Sequence, residues 1–237
     1  MASVPAHLSL GPVIAAAGLA LALSPQAARA AEGAAPAPLV QPAAPPPASA
    51  WGDPLRPPPL HVKYAQWGAA ITSRIAMSTG AICGSAVKQP CILGSGGGLV
   101  IRSGYRSPGP WYVGGAYEFT KTDSGNLYRL GIFQELRAEV RYLPDTGFRA
   151  SPYLVAGAGA AVYGNEWGVE TGGAGIMAGG GVKFEVSRKA HVGLGFTYRP
   201  VLLAGWTDTA KIVRPTGLAQ FIGIEIQLEV RTELGRR

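Results

Sequence analysis

The chain has 237 residues, of which charged residues make up 15% and glycine accounts for 34 positions. Soluble domains carry about 25% charged residues, so this is not the composition of an ordinary soluble α/β enzyme. The formal net charge is +7, but the basic residues are scattered and mostly arginine. No basic run or basic helix forms, which argues against a nucleic-acid partner.

The first segment has the pattern of an export signal. Val13 to Leu23 (VIAAAGLALAL) is an apolar run, bracketed by Pro12 and Pro25 and too short to cross a bilayer as a helix. Ala28-Arg29-Ala30 follows as an A-x-A site, predicting cleavage between Ala30 and Ala31 and a signal peptide over residues 1–30. His7 is the only basic side chain before the apolar run. Residues 31–62 are then expected to be a disordered Pro/Ala-rich linker. The text from Gly33 to Leu60 has little to bury and favours extended polyproline II segments that act as spacers.

From residue 63 the texture changes. Apolar residues alternate with small or polar ones, with no helical stripe, which is the two-residue repeat of strands with one apolar face. Eight strands are predicted over 63–234, leaving 235–237 as a short tail. The first, Tyr64–Met77, sets Trp67, Ala69, Ile71, Ile75 and Met77 against Gln66, Gly68, Thr72 and Arg74. The second, Gly97–Arg106, opposes Leu99, Ile101 and Tyr105 to Arg102 and Arg106. The third, Trp111–Lys121, opposes Trp111, Val113, Tyr117 and Phe119 to Gly114 and Glu118. The fourth, Leu127–Leu143, has Leu130, Ile132, Leu136, Ala138, Val140 and Tyr142 on one face. Arg129, Glu135, Arg137, Glu139 and Arg141 are on the other.

The fifth strand, Pro152–Tyr163, is so rich in Ala and Gly that its faces are ambiguous. The sixth, Gly175–Ser187, opposes Val182, Phe184 and Val186 to Lys183 and Glu185. The seventh, His191–Leu203, opposes Val192, Leu194, Phe196 and Tyr198 to Gly193, Gly195, Thr197 and Arg199. The eighth, Leu218–Arg231, opposes Ile222, Ile224, Ile226, Leu228 and Val230 to Glu225, Gln227, Glu229 and Arg231.

The connections alternate. Ser107–Pro110, Pro144–Ser151 and Ser187–Ala190 are short, whereas Ser78–Ile92, Tyr163–Gly173 and Gly205–Gly217 are long. Thr122–Asn126 is the exception, short where a long link is due. Short turns at one end and long loops at the other are the habit of transmembrane barrels. Cys83 and Cys91 fall in the first long link, with Gly84 and Pro90 between them. That spacing suits a loop disulfide in an oxidising compartment, with a pair of free thiols as the competing reading. No histidine or carboxylate cluster accompanies them, so no metal site is expected.

Alternation alone fits either a soluble lipocalin-like barrel with its apolar face inside or a membrane barrel with that face outside. Three features favour the membrane. The polar faces mix charges with Gly, Ala and Thr, as a cramped lumen requires. The charges carry both signs and can pair. Aromatics gather toward strand ends at Tyr64, Trp67, Trp111, Tyr112, Tyr128, Tyr142, Tyr153, Tyr163 and Trp206, where membrane interfaces favour Trp and Tyr. An all-β, eight-stranded, antiparallel up-and-down transmembrane barrel is therefore expected. Its lumen would hold a charge network of Arg74, Arg102, Glu118, Arg129, Glu135, Arg137, Glu139, Lys183, Glu185, Arg199, Glu225 and Glu229.

On the strand texts LYRLGIFQELRAEVRYLP, PYLVAGAGAAVYG, GGGVKFEV and AQFIGIEIQLEV, the chain resembles the small eight-stranded outer-membrane barrels of the OmpA and OmpX type. The resemblance implies an outer-membrane home in a Gram-negative bacterium, among lipid and lipopolysaccharide. It also implies insertion by the outer-membrane assembly machinery, which reads the last strand. The chain departs from that family in continuing through Thr232 to Arg237, where such barrels commonly end on an aromatic residue.

Gly173-Ala174-Gly175-Ile176-Met177-Ala178 matches G-x-G-x-x-A, but a strand-like VKFEV follows where a dinucleotide site needs a helix, so no cofactor is expected. Some small outer-membrane barrels modify lipid A and need a base near the outer rim. His7 is in the signal, His61 in the linker and His191 beside a short turn, so no histidine is placed for such a triad. The expected function is thus non-enzymatic, either structural or recognition through the long loops, without a wide pore. A lipid A-modifying enzyme and a soluble periplasmic ligand-binding barrel are the alternatives.

Overall fold

The computed structural model describes residues 62–83, 91–125, 127–166 and 168–234. The expected signal peptide, its Ala30–Ala31 cleavage point, the tail at 235–237 and all of the linker but residue 62 lie outside them. The barrel strands are β1 (Lys63–Ser78), β2 (Gly96–Arg106), β3 (Trp111–Thr122), β4 (Gly131–Tyr142), β5 (Ala150–Asn165), β6 (Thr171–Glu185), β7 (Ala190–Leu203) and β10 (Gly217–Leu234). Each pairs antiparallel with its neighbour in sequence, and β1 pairs with β10 to close the ring. Between β7 and β10, β8 (Trp206–Thr207) and β9 (Val213–Arg214) form a separate two-stranded ribbon. A short helical turn covers Gly80–Cys83.

Burial is the reverse of a soluble barrel's. Along β10, Glu225, Gln227 and Glu229 are buried while Ile224, Ile226, Leu228 and Val230 are exposed. On β1, Ile71 is 67% exposed and Arg74 is 0%, so this strand puts its apolar face outside. The register joins the strands so that these faces stay continuous: Ile71 opposes Ile226 and Leu99, and Thr72 opposes Glu225 and Gly98. The ambiguous fifth strand settles the same way, with Tyr153, Val155, Ala161 and Tyr163 buried and Leu154 exposed. A lipocalin-like barrel with an apolar interior does not fit these faces.

Two outward polar pairs bond each other. Tyr117 donates its hydroxyl to Gln134 at 2.7 Å, and Tyr198 donates to Gln220 at 2.7 Å, each across one strand pair. An apolar surround gives such groups no water to bond, so a partner on the same wall removes the penalty.

Several expectations are corrected. The fourth strand begins at Gly131 rather than Leu127, and residues 127–130 belong to the preceding loop. The β3–β4 link is consequently longer than expected. The β5–β6 link is shorter, because β6 starts at Thr171. Ile132 has outward parity yet is buried. Of the aromatics assigned to strand ends, Tyr112, Tyr128, Tyr153, Tyr163 and Trp206 are buried rather than on the outer wall. The G-x-G-x-x-A text lies wholly inside β6, with no turn or helix for a phosphate to meet.

Candidate functional site

The lumen is the site the sequence pointed to, and its side chains come from nearly every strand. Inward positions repeat every second residue, so one strand contributes a column of side chains and the closed ring brings the columns face to face. Arg74 on β1 reaches Glu118 on β3 at 2.7 Å and Glu135 on β4 at 2.9 Å. Arg137 binds Glu118 at 2.8 Å and its strand neighbour Glu139 at 2.9 Å. Arg102 reaches Glu225 across the β1 strand at 2.6 Å. Arg199 bonds both Glu118 and Glu225, and Lys183 bonds Glu229.

Arg141 was read on the polar face of its strand but left out of the expected network. It is a full member, at 2.8 Å from Glu139 and 2.7 Å from Glu229. Gln66 also belongs, donating to Glu229, and Gln227 takes a hydrogen bond from Arg102. Removing one partner of such a buried pair costs about 3–5 kcal/mol, because the other charge is then stranded.

Glycines make the room. A Cβ at Gly68 would come within 2.8 Å of the Glu229 Cγ, and one at Gly223 within 2.6 Å of the Thr197 hydroxyl and 3.2 Å of the Arg199 guanidinium. Both positions face arms that the network needs.

Two expected members are not part of it. Arg129 lies beyond the start of β4, with its side chain 87% exposed and paired to Glu166 at 3.3 Å. The alternation that placed it inward had been carried past the end of the strand. Glu185 sits at the last position of β6 and is only half-buried. There the lumen opens.

Above the charged layer the long loops fold inward as an apolar cap. Ile82, Ile92, Leu93, Tyr128 and Trp206 from the loops pack on Phe133, Tyr163, Val201, Leu203 and Phe221 from strand ends. Cys83 and Cys91 are joined in a disulfide, Cα–Cα 5.0 Å, and pack against this cluster. The Arg74 guanidinium lies 4.1 Å from the Phe133 ring centre, at the boundary between the two layers.

Polar ties hold the cap. The Tyr163 hydroxyl donates to the Ile92 carbonyl. Buried Arg214 pairs with Asp208 at 3.0 Å, and Thr171 donates to the Ala204 carbonyl at 2.8 Å. Tyr128 and Thr209 both donate to Glu170. Burial, helped by the hydrogen bond to Glu170, pushes the Tyr128 phenol above its ordinary range, so it is a donor at neutral pH.

Sequence reasoning missed this cap, although a signal was present. Inward positions change from charged to apolar toward the loop end: Glu135 gives way to Phe133, Arg199 to Val201 and Leu203, and Glu225 to Phe221.

At the other end a smaller cluster of Tyr112, Leu143, Tyr153, Val155 and Met177 closes part of the mouth. Among the described residues no group of His, Cys, Asp and Glu is arranged to hold a metal.

A closed, eight-stranded up-and-down barrel with a charged, filled lumen and an apolar outer wall is the architecture of small outer-membrane barrels. Solved structures of that kind are similar to this chain. Neisserial surface protein A aligns with TM-score 0.51 and 18% identity, covering 72% of this chain and 97% of its own. OprG from Pseudomonas aeruginosa aligns with TM-score 0.47 and 14% identity over 73% of this chain and 97% of its own. Ail, the attachment invasion locus protein of Yersinia pestis, aligns with TM-score 0.42 and 13% identity over 72% of this chain and 99% of its own. At these identities the likeness is one of fold. No family model and no curated protein matches the chain.

Proposed function

We propose that this chain is an exported, non-enzymatic barrel of a Gram-negative outer membrane, closed to bulk solutes, with a structural role or a recognition role carried by its loops. One observation carries the reading. The lumen is filled by paired Arg and Glu side chains and the outer wall is apolar. A charged interior behind an apolar exterior suits a lipid surround and not water.

Residues 1–30 would be the signal peptide, and 31–62 the spacer leading to the barrel. Outer-membrane lipid and lipopolysaccharide would surround the wall, and the outer-membrane assembly machinery would insert it. The enzyme alternative draws no support from the loop end. Glu170, Asp208 and Arg214 at that end are tied into loop contacts, and His191 stands at the start of β7 by the short turns. Membrane fractionation of the native host tests the proposal. The protein is expected in the carbonate-resistant outer-membrane fraction, with a mature N-terminus near Ala31. Recovery in the soluble periplasm would overturn it.

A further inference from the structure

The short-turn mouth of the lumen is where the charge pairing stops. Arg106 at the end of β2, His191 near the start of β7 and Arg231 near the end of β10 all belong to this end. Arg106 and His191 are each only 6% exposed, and Arg231 is half-buried. With the lumen pairs drawn, neither Arg106 nor Arg231 forms an ion pair among the described residues. Glu229, the nearest network anion, is already bound by Arg141, Lys183 and Gln66.

The register brings these residues together. Tyr64 opposes Arg106 on one side, Gln66 beside it opposes Arg231 on the other, and Glu229 opposes His191. The charges of Arg231, Lys183 and Arg106 all bear on His191, with Glu229 as the acidic counterpart. Glu185 and Asp145 are the other carboxylates facing Arg231 and Arg106.

The hydrogen bonds show the same deficit. Arg231 Nε donates to His191 Nδ1 at 3.3 Å. That fixes the histidine tautomer, since a ring nitrogen that accepts leaves the proton on the other one. His191 Nε2 is then a donor, and it is buried with no partner, as is Arg106 Nε. Buried donors without acceptors are destabilising, more so beside a charge. Water could meet the hydrogen-bonding need, but not the charge. An oxyanion meets both.

We propose that this mouth is an oxyanion-binding site that takes a phosphate or phosphate-ester group between Arg106, His191 and Arg231. Guanidinium groups suit phosphate through paired, charge-assisted hydrogen bonds. Tyr64, with the Arg231 guanidinium 5.8 Å from its ring centre, lines the rim on the solvent side. The group could come from free phosphate or from the headgroup of a phospholipid beside the rim.

The test uses the full mature chain folded in octyl glucoside, a detergent without phosphate. The Arg106 Nε–H and His191 ring resonances are followed by ¹⁵N NMR during three titrations: inorganic phosphate, dihexanoylphosphatidylglycerol, and sodium chloride at matched ionic strength. Saturable shifts with phosphate identify a free-anion site, and shifts with the lipid alone identify a headgroup site. Either supports the proposal. In Arg106→Gln the affinity should fall about tenfold or more, with heat-modifiable migration showing that the barrel still folds. Should that variant not fold, Arg231→Gln, at the half-exposed position, makes the same comparison. Responses to phosphate and lipid no larger than to chloride would overturn the proposal and leave the mouth to water.

Discussion

Arg137 and Arg129 are the same residue type on one stretch of chain, yet their surroundings set opposite expectations. Arg137 is enclosed between Glu118, Glu139 and Glu225, whereas Arg129 pairs with Glu166 in solvent. Arg137→Ala should lower stability by about 3–5 kcal/mol, the cost of stranding buried partners. Arg129→Ala should change it by less than about 1 kcal/mol, as for exposed pairs. Urea unfolding of the barrel in lipid vesicles, followed by tryptophan fluorescence, compares the two, and equal losses would mean that the lumen charges are solvated. Most of the network was legible because the sequence alternates without interruption through Glu135, Arg137, Glu139 and Arg141. What alternation cannot reveal is where a strand ends, and Arg129 was misplaced for that reason. Nor does it reveal which inward aromatic meets a charge and which meets a loop. Phe133 and Phe221 share the parity of Glu135 and Glu225, and they meet both: the Arg74 guanidinium on one side and the cap on the other.

Strand β10 carries both sides of the design in adjacent residues. Ile224 faces outward, and Glu225 accepts from Arg102 and Arg199 inside. Ile224→Arg should impair insertion into vesicles, since an arginine on the lipid face costs about 2–4 kcal/mol near the midplane. Glu225→Gln keeps an acceptor in the lumen and should insert, with its loss appearing in urea stability instead. The reverse pattern of defects would invert the assignment of faces.

Among the loops, the Cys83–Cys91 link holds Ile82 and the Ile92–Leu93 pair on the cap. Replacing both cysteines by serine should weaken that loop by up to about 2–3 kcal/mol, as for a short closed ring. Protease should then cut between β1 and β2 while the barrel keeps its heat-modifiable migration. An unchanged cleavage rate would mean that the apolar contacts suffice. The strands and the disulfide were legible because both have local signatures, a repeat of two and a close cysteine pair. The cap was not, because its contacts join Ile82, Tyr128 and Trp206 from separate loops, and the turn to apolar inward positions at the strand ends does not say which loops meet there.

For the molecule as a whole, an eight-stranded ring leaves an interior that side chains can fill. Here three layers fill it: the cap, the charge network and the cluster around Tyr112 and Tyr153. Purified protein in planar bilayers should therefore show no stable porin-sized conductance. A reproducible large channel from monomeric protein would contradict the filled lumen. The cap and the network lie in series, so removing the disulfide should not by itself open a path. The overall architecture was readable from the number of alternating segments and the lengths of the links between them. The two ends were not, since their character depends on how several links fold together.

The seam between β1 and β10 has a kinetic consequence. The ring closes by pairing Lys63 with Leu234 and continuing to Ser78 with Gln220, so its first strand waits for its last. Contacts that far apart in sequence form slowly, because the loop entropy must be met before they stabilise anything. β10 also delivers Glu225 and Glu229, without which Arg102 and Arg199 each lose a carboxylate and Lys183 its ion pair. Until β10 has paired, the chain therefore has neither a closed wall nor a neutralised interior. Closure of the ring and neutralisation of the lumen are thus completed together, by the same strand.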